Sequence, residues 1–255
     1  MAEARETLTI MSSITWGAET AAVYDELNAA QFEPSALDPM VDLLAEMAQG
    51  GPALEFAIGT GRVALALSAR GVAVHGLELS PAMAEQMLAK TGADAVPVTI
   101  GDMTSARVAG APFKLVYLVA NTIMNVTTQD DQVAVFVNAA KHLEPGGRFV
   151  LEVIVPQLRQ VPLGTTARVF ALDSDHVGIE TFDDLVEQIA WSHHWVEIQG
   201  RLVRHSGPFR YVWPSELDLM ARIAGFRRQD RWAGWDRSPF TSDSRSQVAV
   251  YEKLT

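Results

Sequence analysis

Apolar positions in this chain first recur at helical spacing, then gather into short runs that alternate with helical segments. "AETAAVYDELNAA" predicts a short helix, and "SALDPMVDLLAEMA" a second, with Leu37, Met40, Val41, Leu44 and Met47 on one face. Gly50-Gly51-Pro52 ends it. The short, mostly apolar run "ALEFA" at 53–57 suits a central strand covered on both faces. "RVALALSAR" reads as a helix closed by Gly71, and "VAVHGLE" (72–78) as a strand. "SPAMAEQMLAK" is a helix with Ser80 as N-cap and Pro81 at its first position. "ADAVPVTI" (93–100) is expected as an edge strand, because Pro97 removes a ladder donor. "FKLVYLVA" (113–120) and "RFVLEVIV" (148–155) supply the fourth and fifth strands. Between them a helix runs from about Gln129 to Leu143, with Thr128 and Asp131 as a capping pair.

Five strands alternating with helices predict a parallel sheet with helices on both faces, and ligands at the carboxyl ends of its strands. From about Arg168 the texture changes to antiparallel-type strands joined by polar turns, before the helix "PSELDLMARIAGF" and a terminal hairpin-like pair, "RRQDRWAGW" and "SQVAVYEKL". The expected organisation is a helical cap over 1–52, a core at 53–167 and 213–255, and a β-rich insertion at 168–212 that covers the substrate.

Composition narrows the partners. With 20 basic against 31 acidic residues, the formal net charge of -11 disfavours nucleic acid and anionic membrane surfaces. The chain has no cysteine, which removes thiolate chemistry, disulfides and cysteine-ligated metals together. "MAEARETLTI" lacks the apolar core of a signal peptide, and no run approaches the roughly 18 apolar residues of a membrane span, so a cytoplasmic protein is expected. Oligomeric state is left open, a homodimer included.

The chemistry lies just past the strands. "AIGTGR" places Gly59 and Gly61 in a turn before a helix, where a ligand can approach the backbone and an anion can meet unpaired N–H groups. Alone, this loop fits a dinucleotide as well as S-adenosylmethionine. Glu78, 17 residues after Gly61, suits a ribose, which both ligands carry. Asp102 and Met103 then offer a carboxylate and an apolar side chain to an adenine, and Asn121 and Asn125 follow the fourth strand.

The series "LEFAIGTGR", "GLELSPAMAEQML", "GDM", "NTIMN" and "LEPGGRFVLE" resembles the class I S-adenosylmethionine-dependent methyltransferases, closest in texture to the bacterial antibiotic-sugar N-methyltransferase group. That resemblance implies a doubly wound, seven-stranded, mostly parallel Rossmann-like sheet and transfer of a methyl group to N or O of a small molecule. It implies that Glu55 through Gly61 holds the methionine part of the cofactor, Ala57 and Gly59 included. Glu78 with Leu79 and Met83 would hold the ribose and adenine side, Asp102 and Met103 would bracket the adenine, and Ala120 and Asn121 would line the sulfur. Tyr24, in a "VYDEL" segment like the family's N-terminal cap, falls beside the methyl group.

Position 57 is usually glycine in that family. Alanine there costs little at negative φ and is strained at positive φ; with Gly59 and Gly61 left for the closest approach, it is expected to be tolerated. Aromatic faces near a sulfonium stabilise its charge, which brings in Trp16 with Tyr24. His193 and His194 in "WSHHWVE" point to opposite faces of a strand, so at most one looks into a cavity. With Tyr24 they are the candidate catalytic groups. "HHWVE" separates its ligands too far for a metal, and none is expected. Asn125, Trp191, Trp235 and Arg237 are the candidate substrate contacts, the last two in a loop at 232–246 that reads equally as an exposed hairpin connection or a substrate-facing lip. Two other readings stay open at this point. One is an NAD(P)-dependent oxidoreductase, although no Tyr-x-x-x-Lys is present. The other is a non-catalytic cofactor-binding protein with the same fold.

Overall fold

The structure, a computed structural model, describes residues 16–157, 161–174, 176–198 and 200–255. Helices α1 (Ala18–Leu27) and α2 (Pro34–Ala48) precede the alternating part. There β1 (Ala53–Phe56), α3 (Arg62–Ala69), β2 (Val74–Glu78), α4 (Pro81–Leu88), β3 (Val98–Ile100), β4 (Phe113–Leu118), α5 (Gln129–His142) and β5 (Leu143–Ile154) follow in turn. Strands β6 (Ala167–Leu172), β7 (His176–Asp184), β8 (Ile189–Ile198) and β9 (Arg201–Arg210) form the insertion, and α6 (Pro214–Ile223), β10 (Phe226–Trp232) and β11 (Ser246–Lys253) complete the core.

The main sheet has seven strands in the order β10-β11-β5-β4-β1-β2-β3, parallel except where β11 runs between β10 and β5. The terminal pair is therefore more than a hairpin, since β11 closes onto β5 along Ser246–Glu252. β1 sits between β4 and β2, and its four residues, Glu55 included, are all buried, as a central strand covered on both faces requires. β3 is the edge strand that Pro97 predicts, but it is short, and 93–95 forms a 3-10 turn instead. The Ser80 hydroxyl caps α4 by accepting from the Met83 amide, and the Thr128 hydroxyl caps α5 by accepting from the Asp131 amide.

Strand alternation sorts the core into two layers. On one face Phe56, Leu118, Phe149 and Tyr251 pack with Phe136 of α5 and with Leu217 and Met220 of α6. On the other, Leu115, Tyr117 and Val150 pack with Leu44 of α2, Leu67 of α3 and Met87 of α4. The segment read as one cap is thus divided: α2 belongs to a core layer, and only α1 stands at the strand ends. Among the described residues no helix is long and apolar enough to cross a membrane.

The insertion is a separate four-stranded antiparallel sheet, β6-β7-β8-β9, seated above the carboxyl ends of the parallel strands. Arg210, at the end of β9, fixes it to the core. Its buried guanidinium donates to Gln132 Oε1 of α5 at 2.6 Å and to Glu216 Oε1 of α6 at 2.7 Å.

Candidate active site

The strand order reverses between β4 and β1, and the chain opens a cavity of about 320 Å³ at that end of the sheet. Its floor is made by Ala57 and Gly59 after β1, Glu78 and Leu79 after β2, Asp102 and Met103 after β3, and Ala120 and Asn121 after β4. Its roof comes from the insertion, through Glu180, Ser192, His194 and Phe209. Trp16 and Tyr24 close one side.

Glu78 organises the floor. Its Oε2 accepts from the Gly59 amide at 2.8 Å and its Oε1 from the Ser80 amide at 2.9 Å. Burial pushes its carboxyl above the usual carboxylate range, opposed by the amides of Ser80, Gly59 and Leu79. Gly59 has φ +58, and a Cβ placed there would meet little beyond Met83 Cε at 3.6 Å, so the loop backbone is open to a ligand.

The turn after β4 is held by two bonds from β5. Ala120 N donates to Glu152 Oε2 at 2.9 Å, and Asn121 Oδ1 accepts from Ile154 N at 2.7 Å. Both Ala120 and Asn121 lie at positive φ, +56 and +60. Ala57 is also left-handed, with φ +53, which overturns the expectation that alanine is comfortable there. An L-residue with a Cβ pays about 1–2 kcal/mol in that conformation. Strain in a cavity wall persists where the surroundings over-determine it, here through the Gly59–Glu78 bond and the β5 contacts.

The cap is fastened to this floor. The Ser80 hydroxyl donates to the Trp16 carbonyl at 2.6 Å, and the Thr60 hydroxyl donates to Asp25 Oδ1 at 2.6 Å. Lys90 pairs with the other oxygen of Asp25 and donates to the Thr60 carbonyl at 2.7 Å. Tyr24, one residue earlier on α1, is thereby turned to the cavity, and burial raises its phenol pKa.

Comparison with known proteins agrees with this architecture. A family described as "Methyltransferase domain" matches residues 53–147. The CcbJ methyltransferase from Streptomyces caelestis is 31% identical, with a TM-score of 0.81 over 92% of this chain and 96% of its own. The chain belongs to the class I S-adenosylmethionine-dependent methyltransferases. A cypemycin N-terminal methyltransferase from a Streptomyces species is 28% identical across 91% of this chain and 98% of that protein. A dTDP-4-amino-2,3,4,6-tetradeoxy-D-glucose N,N-dimethyltransferase from Saccharopolyspora spinosa is 32% identical across 60% of this chain and 61% of its own.

The methyltransferase gathers most residues named from its sequence, and leaves some apart. Glu55 and Gly61 do not line the cavity. Glu55 faces the α2–α3 layer beside its cross-strand neighbour Tyr117, whose hydroxyl donates to Glu55 Oε2 at 3.0 Å. Fully buried there, its carboxyl is pushed up to about 8, with the Tyr117 hydroxyl opposing the shift. Gly61, at φ +81, packs its α-carbon against Met87 and Leu65. Of the substrate candidates, Asn125 lines the cavity. Trp191 lies on the outer face of β8, stacked on His193. Trp235 donates its indole N–H to Glu152 at 2.9 Å, and Arg237 pairs with Glu46, so the 232–246 loop is no lip of this cavity. Strand alternation divides the two histidines: His194 faces the cavity, while His193 bonds Ser206 Oγ at 2.9 Å. Glu180, Ser192 and Phe209 were not singled out from sequence. They share one face with His194, but only the register of β7, β8 and β9 brings them together.

Proposed function

We propose that this methyltransferase transfers its methyl group to an amine nitrogen of a small molecule, and that the roof of the cavity receives that amine. The observation that carries the reading is the chemistry of the roof. The Glu180 carboxylate is partnered by Arg168 at 2.7 Å and lies beside Ser192 and a neutral imidazole, His194. Burial first, then the neighbouring His176, His205 and His193, push His194 down to about 4, so it carries no charge at neutral pH to repel an ammonium. Trp16, Tyr24 and Phe209 add apolar and aromatic walls. The N-directed names of the two curated relatives support the same acceptor atom.

The floor fits S-adenosylmethionine, which supplies a methyl group on a sulfonium for in-line displacement. Glu78 keeps lone pairs for two ribose hydroxyls beyond those used by Gly59 and Ser80. Asp102 and Met103 flank the adenine position, Leu79 and Met83 pack beside it, and Ala57 and Gly59 offer backbone to the amino-acid end. Tyr24 would offer its aromatic ring to the sulfonium and, with Trp16, exclude water. Asn121 and Asn125 orient the acceptor from below, so the chain contributes alignment and desolvation. The proposal keeps the cytoplasmic setting expected from the sequence.

Calorimetric titration with S-adenosylmethionine, followed by mass spectrometry of a panel of amino sugars, free-N-terminal peptides and matched alcohols, tests this reading. Methylation of amines and not alcohols is expected; the opposite preference overturns it. Glu180→Gln is expected to raise the amine KM about tenfold, a loss like that of one charge-assisted hydrogen bond.

A further inference from the structure

The roof holds a line of polar groups that methyl transfer by itself does not use. Ser192 Oγ lies 2.8 Å from His194 Nε2, and His194 Nδ1 lies 3.0 Å from His176 Nε2. Ser192 and His194 line the cavity, while His176, at the start of β7, stands outside it and is partly open to solvent. The two imidazoles stack with centroids 5.2 Å apart and planes within 8°. Phe170 packs edge-on against both rings, with centroids at 6.2 and 5.3 Å, and limits competing contacts with water. A neutral imidazole accepts at one nitrogen and donates at the other, so a serine and two imidazoles in series conduct a proton without storing charge.

We propose that Ser192, His194 and His176 form a proton exit from the acceptor side of the cavity. The inference rests on the amine reading above. An amine reaches the site as an ammonium and must shed a proton before it has a lone pair to attack with. The N–H bond breaks and its electron pair stays on nitrogen. Ser192 Oγ takes that proton as its own hydroxyl proton passes to His194 Nε2. The Nδ1 proton of His194 passes to His176 Nε2, and His176 releases the proton on its other nitrogen to water. One proton enters, one leaves, and rotation of the serine hydroxyl with return of the tautomers resets the line. Methylation leaves a nitrogen cation again, so the same exit serves a second round. Besides His176 of β7, the titratable or charged groups near His194 are His205 of β9, His193 on the reverse face of β8, and Glu180 with its partner Arg168 of β6. His205 packs against Trp16, with ring centroids 4.8 Å apart and planes tilted by 35°. His194 touches the route of the proton directly; His176 acts through it.

The test uses the full chain with S-adenosylmethionine and whichever amine of the panel is turned over fastest. His176→Ala is expected to lower kcat about tenfold at neutral pH, leaving the amine KM and S-adenosylmethionine affinity unchanged, and imidazole in the buffer is expected to restore the rate. His176→Gln keeps size and a hydrogen bond, and it should show the same loss if proton transfer is what His176 supplies. Wild-type turnover in both variants, or a loss that imidazole does not relieve, overturns the exit and leaves the amine reading standing. A panel in which alcohols are methylated and amines are not overturns the amine reading and the exit with it.

Discussion

The floor and the roof of the cavity are built by opposite strategies. The floor collects residues that each follow a parallel strand, and it relies on backbone: amides bonded to Glu78, a left-handed Ala57, and left-handed Ala120 and Asn121 braced from β5. The roof takes side chains from the interior of antiparallel strands, where Glu180 and Ser192 are register partners and His194 pairs with Gly178. Backbone recognition suits a ligand that never changes. Side chains on a pleated face can be exchanged without disturbing the ladder, which suits an acceptor that differs from one relative to the next.

The sharpest way to break this division is at the joint. Arg210→Met removes the buried pair with Glu216 and the bond to Gln132, and leaves the Glu216 carboxylate without its cation, so thermal or urea unfolding should show a loss of about 3 kcal/mol. A negligible loss would mean that the insertion is not secured to the core through Arg210. In the turn before α3, outside the cavity, Gly61→Ala places a Cβ 2.5 Å from Met87 Cγ at φ +81 and should cost about 2 kcal/mol of stability. Glu78→Ala should weaken S-adenosylmethionine at least tenfold, about 1.4 kcal/mol by calorimetry, whereas Glu180→Gln should not alter that affinity. Equal losses from the two would erase the floor–roof distinction.

Glu55, buried in β1 beside the α2–α3 layer, adds a pH signature of its own. Its folded-state pKa, about 8, is above the ordinary carboxylate value, so the folded chain holds the extra proton between those two values. Its contribution is full in acid and disappears as pH rises through 8, costing about 1 kcal/mol between pH 7 and 8. Glu55→Gln should flatten that decline in Tm; an unchanged slope would show that another group causes it. The smallest effect is expected from Ala57→Gly. Relief of the left-handed strain, offset by a freer unfolded chain, should raise stability by about 0.5 kcal/mol. A fall instead would mean that the methyl group of Ala57 packs usefully.

How much the sequence discloses follows from the same contrast. Ser80, Thr128 and the buried run of β1 announce their elements because caps and two-sided burial are local demands. Glu78, Asp102 and Asn121 are found by position because each comes just after a strand and the sheet brings such residues together. Glu55 misleads for a related reason: it precedes the same loop, but alternation turns it into the α2–α3 layer. Ala57 misleads because the sign of φ is not written in the residue type. Trp191 and Trp235 look like substrate contacts by composition, yet one faces outward and the other braces Glu152. The roof is the least legible part, since pairing Ser192 with Glu180 and Gly207 depends on a register that no single strand contains.

The fastening of α1 has one more consequence. Asp25 ties the cap to Thr60 inside the glycine turn, Lys90 clasps both, and Ser80 holds Trp16 from the turn that anchors Glu78. The helix that covers the cavity cannot lift without tugging on the loop and on the acid beneath it. The cap and the turn beneath it are therefore held by one shared set of bonds, so neither is fixed in place independently of the other.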